Sequence, residues 1–172
     1  MFRKAVESDI ESISEIYDML HDEEEKGNGV TGWERGVYPT RETAQDSVRT
    51  GDMFVLEKDG KIVAAAKLNK EQVPEYKNAD WKYDADPEEV MVIHTLVVPP
   101  YLKGHGYGSE FVKFYESYAL EHGCRYLRMD TNKNNLPARS LYKKLGYDEV
   151  GIVSCEFNGI PGTELVCLEK KL

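Results

Sequence analysis

The run Val90 to Val98, VMVIHTLVV, closed by Pro99 and Pro100, restricts the folds open to this chain more than any other stretch. Almost every side chain in it is apolar, so neither face tolerates water. It is far short of the about 20 apolar residues that a membrane helix needs. It therefore reads as a central strand covered on both sides, the spine of a sheet with helices above and below. The prolines mark its end, because proline cannot donate to a ladder.

The rest of the chain supplies both layers. Phe2 to Val6 reads as a short strand. Ser8 and Glu11 have capping-box spacing for a helix whose stripe is Ile10, Ile13, Ile16, Tyr17 and Leu20, and Asp22 to Glu25 read as its solvated end. Thr40 suits the N-cap of a second helix ending at Gly51. Met53 to Lys58 and Lys61 to Leu68 are β-type runs joined by Asp59-Gly60, a tight hairpin signal. Asn69 to Glu89, polar and with two prolines, reads as a long surface loop, with a disordered insert as the alternative. Beyond the spine, Phe111, Tyr115 and Tyr118 mark a helix stopped at Gly123, and Tyr126 to Thr131 a fifth strand. Asn134 or Asn135 caps a last helix with Pro137 in its first turn, stopped at Gly146. Strands near Ile152 to Phe157 and Glu164 to Glu169 follow. The order implies an α/β fold around one mixed sheet, and the length implies a single domain over residues 1–172.

Charge and composition exclude several roles. A net charge of −9 opposes nucleic-acid binding, where lysine and arginine must neutralise phosphates. No run is long enough for a membrane span, and MFRKAVESDI lacks the apolar core of a signal peptide, so a cytoplasmic location and no membrane partner are expected. Cys124, Cys155 and Cys167 are widely spaced with no CxxC pair, which fits free thiols and no metal site.

The chemistry concentrates in Lys103-Gly104-His105-Gly106-Tyr107-Gly108-Ser109, between the buried strand and a helix. Glycines there let successive amides converge on an anion, and the helix start adds partial positive charge, so a pyrophosphate fits. Taken alone, the same glycines also fit a mere tight connection. The turn follows the fourth strand rather than the first, which argues against a dinucleotide fingerprint, and no Gly-Lys-Ser/Thr makes it a P-loop.

With Leu96-Val97-Val98-Pro99 before it, and Asn135-Leu136-Pro137-Ala138-Arg139-Ser140-Leu141-Tyr142 closing in Leu145-Gly146-Tyr147 after it, the chain resembles the GNAT superfamily of N-acetyltransferases. Lys103 stands where that family usually has Gln or Arg. The resemblance follows element order across the chain, with its motifs in residues 90 to 147. It implies an α+β fold with a mixed, mostly antiparallel sheet of about seven strands, about four flanking helices, and splayed fourth and fifth strands. It also implies acetyl-CoA as cosubstrate, no metal, and transfer to a primary amine of a small molecule or peptide within a ternary complex. Family members often form dimers. A non-catalytic acyl-CoA-binding or regulatory module is the alternative reading.

By resemblance the pyrophosphate lies on Lys103 to Ser109, the pantetheine arm follows Leu96, Val97 and Val98 with main-chain bonds from Leu96 and Val98, and Asn135 meets that arm. Tyr142 is the candidate acid for the departing thiolate, since a tyrosine near 10 can donate to a thiol near 8.5. No glutamate sits mid-strand, so His94, with an ordinary value near 6.5, is the candidate base. Asp130 is expected to bind a cationic amine or accept its proton, and Glu89 is a remoter option. Trp33, Tyr38, Trp81 and Tyr83 lie in loops that border the acceptor site in this family.

Overall fold

In the computed structural model, which describes residues 1–172, β1 (Phe2–Lys4) reaches α1 (Ile10–Glu25) through a single tight turn. Asp9 organises that turn: its carboxylate accepts from the Val6 amide at 2.8 Å and from Arg3 at 2.6 and 3.0 Å. Asp9 rather than Ser8 thus immediately precedes α1, and its carboxylate reaches back to Val6 and Arg3 instead of capping the helix amides. Helix α1 buries Ile10, Ile13, Ile16 and Tyr17 as its spacing requires. The acidic end of α1 is exposed at Asp22 and Glu25, as expected, and it also carries Arg35, which bridges Asp18, Asp22 and Glu25, while Glu24 accepts from the Thr31 amide at 2.7 Å. Those bonds fold residues 28–39 back over the helix.

Helix α2 (Arg41–Arg49) starts at Thr40, whose hydroxyl accepts from the Thr43 amide, and Gly51 follows it at φ 74°. Next come β2 (Met53–Lys58) and β3 (Lys61–Asn69), joined where Asp59 and Gly60 take φ 51° and 72°. The remaining elements are β4 (Val90–Val97), α3 (Tyr107–Glu121), β5 (Tyr126–Asn132), α4 (Leu136–Lys144), β6 (Asp148–Phe157) and β7 (Ile160–Lys171). The closing strands are longer than the apolar pattern indicates, because their ends are edge and hairpin positions that need no buried face. The sheet has seven strands in the order β1-β2-β3-β4-β5-β7-β6, and only β4 and β5 run parallel.

Alternation sorts side chains onto two cores. Phe54 and Leu56 of β2 face α3 and α4, where Phe111, Val112, Tyr115 and Tyr142 pack; Met53 and Val55 face α1 and α2. No helix is long and apolar enough to cross a membrane.

The segment between β3 and β4 packs against the sheet. Tyr76 within it is 2% exposed. Arg128 of β5 secures it by donating to the Gln72 side chain and the Tyr83 carbonyl, each at 2.7 Å, with its guanidinium 4.3 Å from the centre of the Trp81 ring.

Strands β4 and β5 share partners only at Val90–Tyr126, Met91–Leu127 and Val92–Arg128. At this fork the Tyr115 hydroxyl donates to the Met91 carbonyl at 2.6 Å, with the Arg128 carbonyl 3.2 Å away. Tyr115 is fully buried, so deleting the hydroxyl leaves carbonyls in an apolar setting. Tyr115→Phe is expected to destabilise the fold by roughly 1–3 kcal/mol in denaturant unfolding, while a neutral result would mean that the fork does not depend on this bond.

Candidate active site

Beyond Val92, β4 stays on β3 while β5 follows β7 along its whole length, from Tyr126 to Asn132. The two strands part, and a cleft of ≈ 1050 Å³ opens between them.

A bulge determines what β4 shows to this gap. Lys67 pairs with His94 and Ala65 with Val97, so β4 carries one residue more than β3, and Thr95 sits there at φ 54°. One extra residue reverses the alternation. Met91 and Ile93 face the α3 core, but after the bulge Val97 joins the α1 core, and Leu96 and Val98 pack toward α3. The main chain reverses with the side chains. The Glu89 carbonyl accepts from the Arg125 amide, so odd positions before the bulge address β5; after it, Leu96 and Val98 do. Val97, grouped with them on sequence, turns its backbone to Ala65 instead.

The glycine turn lies at the mouth of this gap. Gly104 and Gly106 take φ 87° and 83°, and an added Cβ on either would meet no heavy atom within 4 Å. Backbone conformation demands glycine there, and the space in front is open. Tyr107, Gly108 and Ser109 begin α3, whose first turn has no upstream carbonyls for their amides. Two residues of the motif are spent internally: the Lys103 amide donates to the Pro100 carbonyl and the His105 amide to Leu102, each at 3.2 Å. The His105 side chain also turns back to the Leu102 carbonyl at 3.0 Å and is off the cleft wall. Asn135 lines the cleft, but its Oδ1 caps α4 by accepting from the Ala138 amide at 3.2 Å, which leaves only Nδ2 uncommitted.

The cleft crosses the sheet. On the α3 side stand the glycine turn, Asn135 and Tyr142; on the α1 side stand Trp33, Tyr38, His94 and Asp130. Trp33 meets Tyr38 edge to face at 6.0 Å, and the Tyr38 hydroxyl bonds the Thr95 side chain. Trp81 is not on this wall. Its Nε1 donates to the Tyr76 carbonyl at 2.7 Å and its face carries Arg128, so it secures the long segment instead.

Burial perturbs each titratable group here. His94 Nε2 donates to Asn69 Oδ1 at 2.9 Å, and the Asn69 amide in turn donates to Asp52 at 3.0 Å. Burial, then the Lys67 charge, pushes His94 down to about 4. The expectation of a value near 6.5 fails because both effects disfavour imidazolium. Asp130 moves the other way, up to about 6: burial outweighs the hydrogen bond that it accepts from the Tyr76 hydroxyl at 2.7 Å. Burial, with Asp130 adding to it, also raises Tyr142 well above an ordinary tyrosine, and Tyr38 is pushed up to about 12 by burial despite its bond to Thr95. Thr95, Tyr76 and Asn69 were not foreseen. A bulge inside an apolar run leaves no mark in sequence, and Tyr76 meets Asp130 across a separation of 54 residues.

The sequence pattern described as the acetyltransferase (GNAT) family matches residues 13–147. The chain is 22% identical over 147 residues to the uncharacterized N-acetyltransferase YhfO of Bacillus subtilis, covering 86% of this chain and 89% of that one. It is 32% identical over 75 residues to streptothricin acetyltransferase of Escherichia coli, which is 44% of this chain and 40% of that protein. A GNAT-family acetyltransferase from Streptococcus agalactiae has a TM-score of 0.84 at 20% identity, covering 100% of this chain and 95% of that chain. The ribosomal-protein-alanine N-acetyltransferase of Brucella melitensis gives 0.73 at 17% identity, covering 100% and 99%. At these identities the two structures speak to the fold.

The raised Asp130 carries a stability consequence. Its folded value lies above its ordinary 3.8, so the stabilisation that it gives in its protonated form is complete below 3.8 and lost as pH rises through about 6. Asp130→Asn is therefore expected to gain stability relative to the parent between pH 4 and pH 8, by up to about 3 kcal/mol. Thermal unfolding across that range checks it, and a pH-independent difference would show the carboxyl to be unperturbed.

Proposed function

Because the chain belongs to the acetyltransferase (GNAT) family, we propose that it moves the acetyl group of acetyl-CoA onto a primary amine of a small molecule or peptide, by direct attack with both substrates bound. Acetyl-CoA supplies the activated thioester and a thiol as leaving group. The observation that carries the reading is the cleft itself, which joins the glycine turn on one face of the sheet to a carboxylate and two aromatic rings on the other.

The residues fit that division. The pyrophosphate takes the glycine turn and the first turn of α3, where the left-handed Gly104 and Gly106 and the unbonded amides of Tyr107, Gly108 and Ser109 support the assignment. The main chain of Leu96 and Val98, released from β5 by the fork and re-aimed by the bulge, pairs with the pantetheine arm, and amides on this edge stabilise charge growing on the carbonyl oxygen. Asn135 Nδ2 adds a donor to the same arm. Tyr142 holds its proton at neutral pH and donates a hydrogen bond to the departing sulfur.

Asp130 rather than His94 accepts the proton of the attacking amine. A base near 6 matches neutral pH, whereas one near 4 has little proton affinity there. Its negative charge also attracts an ammonium, which Trp33 and Tyr38 flank with aromatic surface. His94 is left as a neutral wall of the site.

Release of CoA thiol across peptides, polyamines, amino acids and aminoglycosides tests the activity. Tyr142→Phe should lower kcat roughly 10- to 100-fold with little change in acetyl-CoA affinity, and Asp130→Asn should do so most strongly near neutral pH. Gly106→Glu should abolish acetyl-CoA binding, while Gly106→Ala, which shares the backbone strain without the charge, should retain most of it. Full acetyl-CoA affinity in Gly106→Glu would remove the assigned cofactor site.

A further inference from the structure

We infer that Tyr76 is a positioning residue for transfer: from behind the cleft its hydroxyl fixes one oxygen of Asp130, and so presents the other to the acceptor amine. The inference rests on the reading of Asp130 as proton acceptor.

Tyr76 is buried and off the cleft wall, whereas Asp130 is on that wall. The carboxylate therefore stands between the two, with Oδ2 held by the Tyr76 hydroxyl at 2.7 Å. Tyr76 is itself held on two sides. Its carbonyl accepts from Trp81 Nε1, and the two rings meet edge to face at 5.1 Å. Trp81 is pressed in turn by Arg128, which lies two residues before Asp130 on the same face of β5. One strand thus clamps the long segment with a cation and receives its phenol on an anion. A hydroxyl placed this firmly removes the rotational freedom of a short side chain, and fixed orientation is worth rate in a direct transfer.

The other groups that act on Asp130 or sense its charge are the phenols of Tyr38 and Tyr142, the Glu75 carboxylate, and the Cys155 and Cys167 thiols. Of all these, Tyr76 alone is hydrogen-bonded to it. A bond to the charged form favours ionisation, against burial and Glu75. Its loss moves the titration upward.

The test compares the parent, Tyr76→Phe and Asp130→Asn by two readouts: 13C titration of labelled aspartate carboxyls, with Asp130→Asn assigning the signal, and the pH profile of kcat at saturating amine. Phenylalanine keeps the ring and its packing, and unchanged acetyl-CoA affinity certifies the fold. The expected result is an Asp130 midpoint about one pH unit higher in Tyr76→Phe, with the acidic limb of kcat displaced equally and a lower plateau. A uniformly lower kcat with neither midpoint moved would reduce Tyr76 to packing and overturn the inference. A carboxyl midpoint that moves while the kcat limb stays, in an enzyme whose limb also survives Asp130→Asn, would overturn the assignment of Asp130 as base and the positioning role with it.

Discussion

Strands β4 and β5 exchange partners from Val90 to Val92 and then separate, and each feature of the candidate site depends on that separation. Parallel strands ordinarily keep pairing, because unpaired amides and carbonyls in a protein interior are costly. Here each strand has a stronger claim on it from outside. β3 holds β4 past the bulge to Val97, and β7 holds every residue of β5. The Tyr115 hydroxyl at the fork supplies a donor where the ladder runs out. Beyond Val92 the two strands no longer pair with each other.

The same burial that shapes the cleft sets its charges. Desolvation penalises whichever form is charged, so it pushes His94 down and Asp130 up from one cause. Their order of basicity inverts relative to free side chains. At neutral pH the imidazole is neutral, while the carboxyl is mostly ionised yet lies nearer its titration than an ordinary carboxylate does. Inside this pocket a carboxylate is the better proton acceptor and a tyrosine the better proton keeper, the reverse of what residue type alone implies for the histidine.

Much of this is written in local sequence, where the physics is local. The Val90–Val98 run, the Asp59-Gly60 hairpin, the Thr40 and Asn135 caps and the glycine stops at 51, 123 and 146 are short-range signals, and each element appears where those signals place it. The glycine turn, Asn135, Tyr142, Trp33, Tyr38, His94 and Asp130 do converge on one cleft. What sequence could not carry is the outcome of competition. Lys103 and His105 look equal to their neighbours until the turn uses their amides, and Trp81 looks like an acceptor wall until Arg128 takes its face. Val97 differs from Leu96 and Val98 through one bulged residue, which an apolar run conceals. Tyr76 acquires its contact with Asp130 only when the chain closes on itself.

A sheet normally partitions a domain, and molecules packed on one of its surfaces have no access to those on the other. The fork interrupts this partition with one cleft, lined on one side by the glycine turn and α4 and on the other by the Trp33–Tyr38 loop. In the proposed ternary complex, two substrates held on opposite sides of the sheet need not pass each other. The two sides of the cleft are also built from different parts of the chain, so residues 28–39 can change without altering the glycine turn or α4.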